Sequence, residues 1–258
     1  MPRAVNEEIR RTLEAASNLC RCEENEEALK LVEEALEQHP NDLELKAMLG
    51  VVLSRVERDR EAEAVLRAVL KRDPEHEQAT STLGRLLDNS LRTEEAEELY
   101  RSFMGRKPAC HVVLDDLCRL LLDEERVDEA YKLARAHADQ FPAVYEAYSP
   151  LQRVLQTQED EIREKADEAQ FDRKGLTKLT SNLIEQFEVI LKMEREIGSE
   201  TLNTIGHAWE LDEEIIRIAA ELDYIEDAFR KQRASVPSAL QSAIQAIHAE
   251  RGKRAKIK

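Results

Sequence analysis

Five arginines occupy recurring positions of a 34-residue repeat and are the strongest candidates for binding chemistry. One position holds Arg85, Arg119 and Arg153, and another holds Arg21 and Arg55. The two positions lie about one helical turn apart, so the five side chains would follow one line if these segments are helical. Guanidinium groups bind carboxylates through two parallel hydrogen bonds. The spacing therefore predicts a surface that recognises an acidic or C-terminal segment of a partner.

A second interpretation assigns the same arginines to internal ion pairs. Asp88, Asp115 and Asp123 lie close to them in the sequence, and carboxylates on adjacent helices would neutralise the guanidinium groups. The sequence leaves both interpretations open. Recognition predicts that replacing Arg85 and Arg119 by Gln weakens partner binding, whereas internal pairing predicts lower stability with unchanged binding.

Sequence patterns for catalysis or metal binding are not found. The chain has no glycine-rich phosphate loop, no His-Glu-x-x-His pair and no nucleophile elbow. Cys20 and Cys22 would point about 200° apart on a helix, which is a poor arrangement for one metal ion. Cys118 is interpreted as a packing residue. We therefore predict that the protein is not an enzyme and uses no metal and no cofactor.

The composition predicts an almost entirely helical protein. Of the 258 residues, 36% are charged and 4% are aromatic, with seven glycines and seven prolines. The net charge of −16 argues against general affinity for nucleic acid or anionic membranes. No apolar leader or membrane-spanning run is present, and the four cysteines do not form a disulfide pattern. We expect a cytoplasmic protein with reduced thiols.

The elements that would position the arginines follow a fixed repeat. A period of this size is typical of stacked supersecondary units. Four rows of residues keep the 34-residue interval: Pro40, Pro74, Pro108 and Pro142; Ala28, Ala62, Ala96 and Ala130; Leu19, Leu53, Leu87 and Leu121; and Ala16, Gly50, Gly84 and Cys118.

Apolar spacing predicts two helices, A and B, in each unit. In the second unit we expect helix A over 42–56 and helix B over 59–71. Gly50 lies in the middle of helix A, where glycine costs about 1 kcal/mol relative to alanine. This predicts that helix B approaches too closely there for a side chain. The proline of each unit ends helix B, because proline cannot continue a helix.

These residues resemble the tetratricopeptide repeat family over residues 9–142, as four units. The resemblance implies an all-α fold, a right-handed α–α superhelix, in which the A helices line a concave groove that receives a peptide or helix of a partner. The second and third units match equally well, through Leu49, Gly50, Leu53, Ala62, Leu66 and Pro74 and through Leu83, Gly84, Leu87, Ala96, Tyr100 and Pro108.

The resemblance places the five arginines in this groove and adds apolar anchors. The Lys/Asn/Arg clamp by which some family members hold chaperone C-termini is missing: Leu13, Ser17, Met48, Gln78 and Thr82 stand at its positions. We expect a scaffold or adaptor that binds a partner peptide or helix, with an acidic segment as the candidate. The predicted anchors are Leu13, Met48, Val51 and Val112.

From about Lys174 the apolar residues follow a spacing of three and four, with Gln186 as a break. Runs before and after Gly198 and a shorter run from Pro237 predict three amphipathic helices, as a bundle or coiled-coil segment. Either these helices pack on the last repeat, or they associate with a second copy. The alternative function is therefore a structural subunit that self-assembles. We expect Trp209 and Tyr224 to pack within this region.

The predicted organisation has four parts. After the last complete repeat, the charged stretch 156–170 is expected to cap the repeats with its outer face in water. The basic tail is expected to be a solvated terminus. The parts are residues 1–142 with four repeats, 143–173 with a half repeat and the capping helix, 174–250 with the C-terminal helices, and 251–258 with the tail.

Overall fold

The computed structural model describes residues 2–165, 172–204 and 206–254. Regular structure within these ranges is helical, which confirms the predicted all-α fold. The chain divides into two compact units, 1–120 and 121–258. This boundary differs from the predicted end of the complete repeats at residue 142. The division into four parts stays a prediction from the sequence.

The first unit consists of alternating A and B helices. In the first three repeats, each A helix contacts the following B helix, and the A helices of successive repeats also contact each other. In the second repeat the helix bounds agree with the prediction to within a residue. The helices are α1 (Pro2–Arg21), α2 (Asn25–Gln38), α3 (Leu43–Arg55), α4 (Asp59–Arg72), α5 (Glu77–Asn89), α6 (Thr93–Arg106) and the first ten residues of α7 (His111–Asp123).

Glycine in two A helices allows a large side chain of helix B to approach the backbone. A Cβ atom added to Gly50 would lie 2.5 Å from Cγ of Leu66, and one added to Gly84 would overlap the ring of Tyr100. Tyr100 is fully buried, and its hydroxyl donates to the carbonyl oxygen of Ser81 at 3.4 Å. The predicted close approach of helices A and B is thus confirmed at both glycines.

The turn from helix A to helix B has one conformation that also recurs every 34 residues. Glu23, Glu57, Leu91 and Glu125 have positive φ angles between 58° and 64°. In each turn the next amide donates to the carbonyl of the leucine row, as in the bond from Arg92 to Leu87 at 2.9 Å. This is the bonding of a Schellman motif, which ordinarily favours glycine at the position with positive φ.

The second unit continues with shorter and longer helices. The three predicted C-terminal helices are present, together with a short helix between the first two, which the spacing did not predict. Gly198, with φ of 87°, ends the first of them as expected. The elements are α8 (Val127–Gln140), a 3₁₀ helix (Tyr145–Tyr148), α9 (Ser149–Glu164), α10 (Arg173–Ile197), α11 (Ser199–Thr204), α12 (Ala208–Lys231) and α13 (Ser238–Arg254).

Two expectations for the second unit are wrong in part. Trp209 and Tyr224 are 59% and 56% exposed instead of packed. The start of the basic tail continues α13, and Arg254 forms ion pairs with Glu194 and Asp212. Residues 255–258 of the tail and residues 166–171 of the predicted capping stretch lie outside the described residues. None of the described helices combines the length and apolar composition that a membrane crossing requires.

A buried carboxylate holds α9, α10 and α12 together. Glu159 lies within the charged stretch whose outer face was expected to meet water, and it is 1% exposed. It accepts hydrogen bonds from Gln186 at 2.8 Å, from Arg163 at 2.7 Å and from Arg217 at 3.1 Å. Burial alone would raise the pKa of Glu159, but the Gln186 and Arg163 hydrogen bonds and the Arg217 charge outweigh it, and the pKa is lowered.

Gln186, the break in the apolar spacing of α10, belongs to the same network. Its amide nitrogen also donates to Asn182 at 2.7 Å, and its amide oxygen accepts from Arg217 at 2.6 Å. Asn182 in turn donates to the carbonyl of Leu155 at 3.0 Å. The polar residue is tolerated because its donors and its acceptor are satisfied, as buried polar groups require.

Candidate peptide-binding groove

A cavity of about 450 Å³ lies among the A helices of the first unit. An adjoining cavity of about 510 Å³ shares Ser17, Arg21, Met48 and Gln78 with it. We call these two cavities together the groove. The groove brings together seven of the nine predicted site residues, namely Leu13, Arg21, Met48, Val51, Arg55, Arg85 and Val112.

Three arginines line the first of these cavities, and all three are exposed. Arg21 donates to the side-chain oxygen of Asn18, and Arg55 donates to the carbonyl of Cys20 at 3.3 Å. Arg85 makes no hydrogen bond or ion pair with the residues that the structure describes. Its guanidinium is therefore available to a bound carboxylate without breaking an existing contact.

Arg119 has a different environment from Arg21, Arg55 and Arg85. It is half-buried, and its guanidinium lies 3.9 Å from Asp88 and 3.8 Å from Asp116. It lines neither cavity of the groove. The geometry at Arg119 favours the internal pairing that the sequence left open, with Asp116 as a partner that sequence analysis did not name.

Arg153 belongs to the second unit. It lines a separate cavity of about 520 Å³ there, together with Ser149, Gln152 and Glu210. A single line through all five arginines stays a prediction from sequence.

The groove has an apolar floor between its arginines. Met48 is buried, Val51 is half-buried and Val112 is 40% exposed. Thr82 also lines the groove, and its buried hydroxyl has no hydrogen-bond partner among the described atoms. Such a group favours a ligand that supplies a polar atom, because an unsatisfied buried hydroxyl is unfavourable.

Ser81 forms part of the groove wall that sequence reasoning missed. Its hydroxyl donates to Asp116 on α7. Burial raises the pKa of Asp116, and the hydrogen bond from Ser81 and the nearby charge of Arg85 oppose this rise without cancelling it. The sequence could have indicated Ser81 as a groove residue only through its position, because it lies four residues before Arg85 on the same face of the helix.

The charge of the groove is opposite to that of the chain. Arg21, Arg55 and Arg85 line the first cavity with Glu77 as the acidic member, an excess of two positive charges. The whole chain carries −16. Among the described residues, no group of three His, Cys, Asp or Glu side chains is arranged to hold a metal ion.

Stacked pairs of helices with a constant period define the first unit as a helical-repeat structure. Residues 23–86 match the tetratricopeptide repeat family. The resemblance to this family that the sequence predicted is thus confirmed over these residues.

Several solved structures are similar to this chain at low sequence identity. IFIT1, as a monomeric mutant with Gppp-AAAA, is 14% identical with a TM-score of 0.51, over 93% of this chain and 58% of that one. TTC0263 of Thermus thermophilus is 13% identical with a TM-score of 0.49, over 75% and 98%. MamA of Desulfovibrio magneticus RS-1 is 18% identical with a TM-score of 0.46, over 74% and 97%. Of these three, IFIT1 has a TM-score above 0.5, and at 14% identity its similarity shows the fold alone.

Among curated protein sequences, none matches this chain.

Proposed function

We propose that the protein is an interaction scaffold and that the groove binds an acidic segment of a partner protein. Tetratricopeptide repeats are a family of interaction scaffolds without catalytic activity of their own, which supports the general class. One observation carries the finer proposal: Arg21, Arg55 and Arg85 surround an apolar floor in a chain with a net charge of −16. A cytoplasmic location and the absence of catalysis belong to the same proposal.

Apolar contact and charge would contribute differently to this binding. An apolar side chain of the partner would cover Met48 and Val51, which gains roughly 25 cal/mol for each Å² of apolar surface removed from water. Carboxylates beside it would pair with Arg55 and Arg85. Since both arginines are exposed, we expect these pairs to set orientation and specificity and to weaken with added salt.

The test uses two fluorescein-labelled peptides and the full-length chain. One peptide alternates leucine with Asp and Glu, and the other has Asn and Gln in place of the acids. Fluorescence anisotropy should show saturable binding of the acidic peptide, and at least tenfold weaker binding of the neutral one. Equal binding of the two peptides contradicts an acidic preference.

Single arginine variants locate the binding site. Arg55→Gln and Arg85→Gln should each weaken binding of the acidic peptide by roughly three- to tenfold, because each removes an exposed charge pair. Arg60→Gln is the matched control, since Arg60 is exposed on the B helix α4 and lines neither cavity of the groove. The proposal fails if Arg60→Gln weakens binding as much as Arg85→Gln.

A further inference from the structure

Helix α12 has a second apolar face that no described element covers. Its inner face is buried against α10 and α13 through a regular apolar stripe. On the opposite side, Trp209, Ile216 and Tyr224 are 59%, 52% and 56% exposed, and Ala220 is exposed between them. We call this surface of Trp209, Ile216, Ala220 and Tyr224 the outer face of α12.

The spacing of the outer face is that of a helix-binding surface. Its four residues follow one another at intervals of seven, four and four, which places them along one side of an α-helix. Single exposed apolar residues are normal on protein surfaces, whereas several exposed apolar residues on one side of a helix, two of them aromatic, are typical of an interaction site. Tryptophan and tyrosine are also the residue types enriched at such sites.

The charge around this face is acidic. Asp212, Glu213, Asp223 and Asp227 lie on the same side of α12 as the apolar row. Asp212 and Asp223 are already paired with Arg254 and His248 of α13, so the acidity open to a partner comes from Glu213 and Asp227. Glu213 is exposed and has no ion pair with the described residues. Asp227 is 65% exposed at its side chain and has a long contact of 4.0 Å with the exposed Arg230. The single basic residue from position 209 to 227 is Arg217. Its guanidinium points inward, to Glu159 and Gln186, and therefore does not reduce the acidity of the outer face.

We propose that the outer face of α12 docks a basic amphipathic helix of a partner protein. Apolar side chains at every third or fourth position of that helix would cover Trp209, Ile216 and Tyr224. Lysine or arginine beside them would meet Glu213 and Asp227. A second copy of the same face fits poorly, because pairing it with itself in an antiparallel sense brings carboxylates such as Glu210 and Asp223 together.

Trp209 is the single tryptophan of the chain, and it reports on this surface directly. The full-length protein is titrated with a synthetic helical peptide that carries a leucine stripe flanked by lysines. Two matched peptides serve as controls: one has glutamate in place of lysine, and the other is a scramble of the lysine peptide without a stripe. We expect a saturable shift of the Trp209 emission to shorter wavelength with the lysine-flanked stripe alone.

Variants then separate apolar contact from charge. Ile216→Ser should weaken binding of the lysine-flanked peptide at least tenfold, and Glu213→Gln and Asp227→Asn should each weaken it about threefold and reduce its salt dependence. Leu91→Ser removes an equally apolar side chain that is 90% exposed in the first unit and should change nothing. Equal binding of the scrambled peptide, or full affinity of Ile216→Ser, overturns the proposal.

Light scattering on the chain alone tests the competing occupant. If the chain is oligomeric and Ile216→Ser makes it monomeric, the face is covered by another copy, and the proposal of a basic partner helix is wrong. If Arg85→Gln also makes the chain monomeric, the outer face of α12 is covered by the groove of another copy. Binding of the acidic peptide to the groove is measured separately and should be unchanged in Ile216→Ser, so this proposal and the proposed function can fail independently.

Discussion

The two units of this protein specify helix packing by different means. In the first unit, neighbouring helices pack through complementary side-chain volumes. The side chain of Leu66 packs against Gly50, and the ring of Tyr100 packs against Gly84. In the second unit, the contact of α9, α10 and α12 contains a buried carboxylate, Glu159, with three side-chain donors around it.

This difference teaches how repetition and uniqueness are encoded. Complementary volumes can be repeated at any number of interfaces, because each pair is independent of its neighbours. A buried charge network is satisfied in one arrangement of its members, since a displaced member leaves an uncompensated charge. The first unit therefore has a repeating surface, and the second has a single defined arrangement of α9, α10 and α12.

The largest effect on stability is expected from removing the buried carboxylate of Glu159. Glu159→Ala should lower the free energy of unfolding by about 3 kcal/mol, because it leaves Arg163 and Arg217 without their buried partner. Hydrogen exchange followed by mass spectrometry should show faster exchange in α9, α10 and α12. Glu164→Ala, at an exposed position of α9, is the control and should change stability by less than about 0.5 kcal/mol. Equal effects of the two variants would show that the network does not stabilise the second unit.

The volume fit of the first unit is tested by adding one methyl group. Gly84→Ala should lower the free energy of unfolding by about 2 kcal/mol, because the new Cβ overlaps the ring of Tyr100. Gly105→Ala is the matched control, since nothing lies within 4 Å of its Cβ position and alanine is the better helix former. It should raise stability by about 0.5–1 kcal/mol. Thermal unfolding of both variants measures the contrast, and a stabilised Gly84→Ala would contradict it.

A smaller effect is expected at the turns that separate helices A and B. Leu91 has φ of 59° and is 90% exposed, so Leu91→Gly relieves backbone strain without losing burial. It should stabilise the protein by about 0.5–1 kcal/mol in urea unfolding. Ser90→Gly, one residue earlier at φ of −91°, should destabilise it. The same sign for both variants would refute the role of backbone conformation.

The smallest effect is expected from pH, and it has opposite signs in the two units. The lowered pKa of Glu159 stabilises the fold above its ordinary value of 4.5, and this stability is lost as the pH falls through the folded pKa. The raised pKa of Asp116 disfavours folding when the group is ionised, so its contribution improves as the pH falls towards 3.8.

Urea unfolding of the variants at about pH 7 and pH 4 measures this difference. The destabilisation by Glu159→Gln should shrink at the lower pH. Relative to the unmodified chain, Asp116→Asn should instead be more stable at neutral pH than at the acidic one. If the stability of both variants, relative to the unmodified chain, changed in the same direction between the two pH values, the opposite pKa shifts of Glu159 and Asp116 would be contradicted.

Local periodicity was enough to predict the helices and the close approach at Gly50. The family resemblance added nine predicted groove residues, of which seven line the two cavities of the groove. Local periodicity failed where the partner is distant in sequence. Gln186 looked like a defect in an apolar stripe, because its partner Arg217 lies 31 residues further along the chain. Trp209 was expected to pack because residue type indicates hydrophobicity, whereas exposure depends on which face of α12 is already occupied.

The constant 34-residue interval also determines which insertions and deletions leave the side chains of the groove in place. An extra residue between Ser81 and Arg85 would turn Arg85 by about 100° around α5 and carry its side chain out of the cavity. Loss of a whole repeat would shorten the row and leave the remaining side chains in phase. We therefore expect homologous chains to differ by substitutions and by entire repeats, while insertions and deletions are confined to the connections between helices.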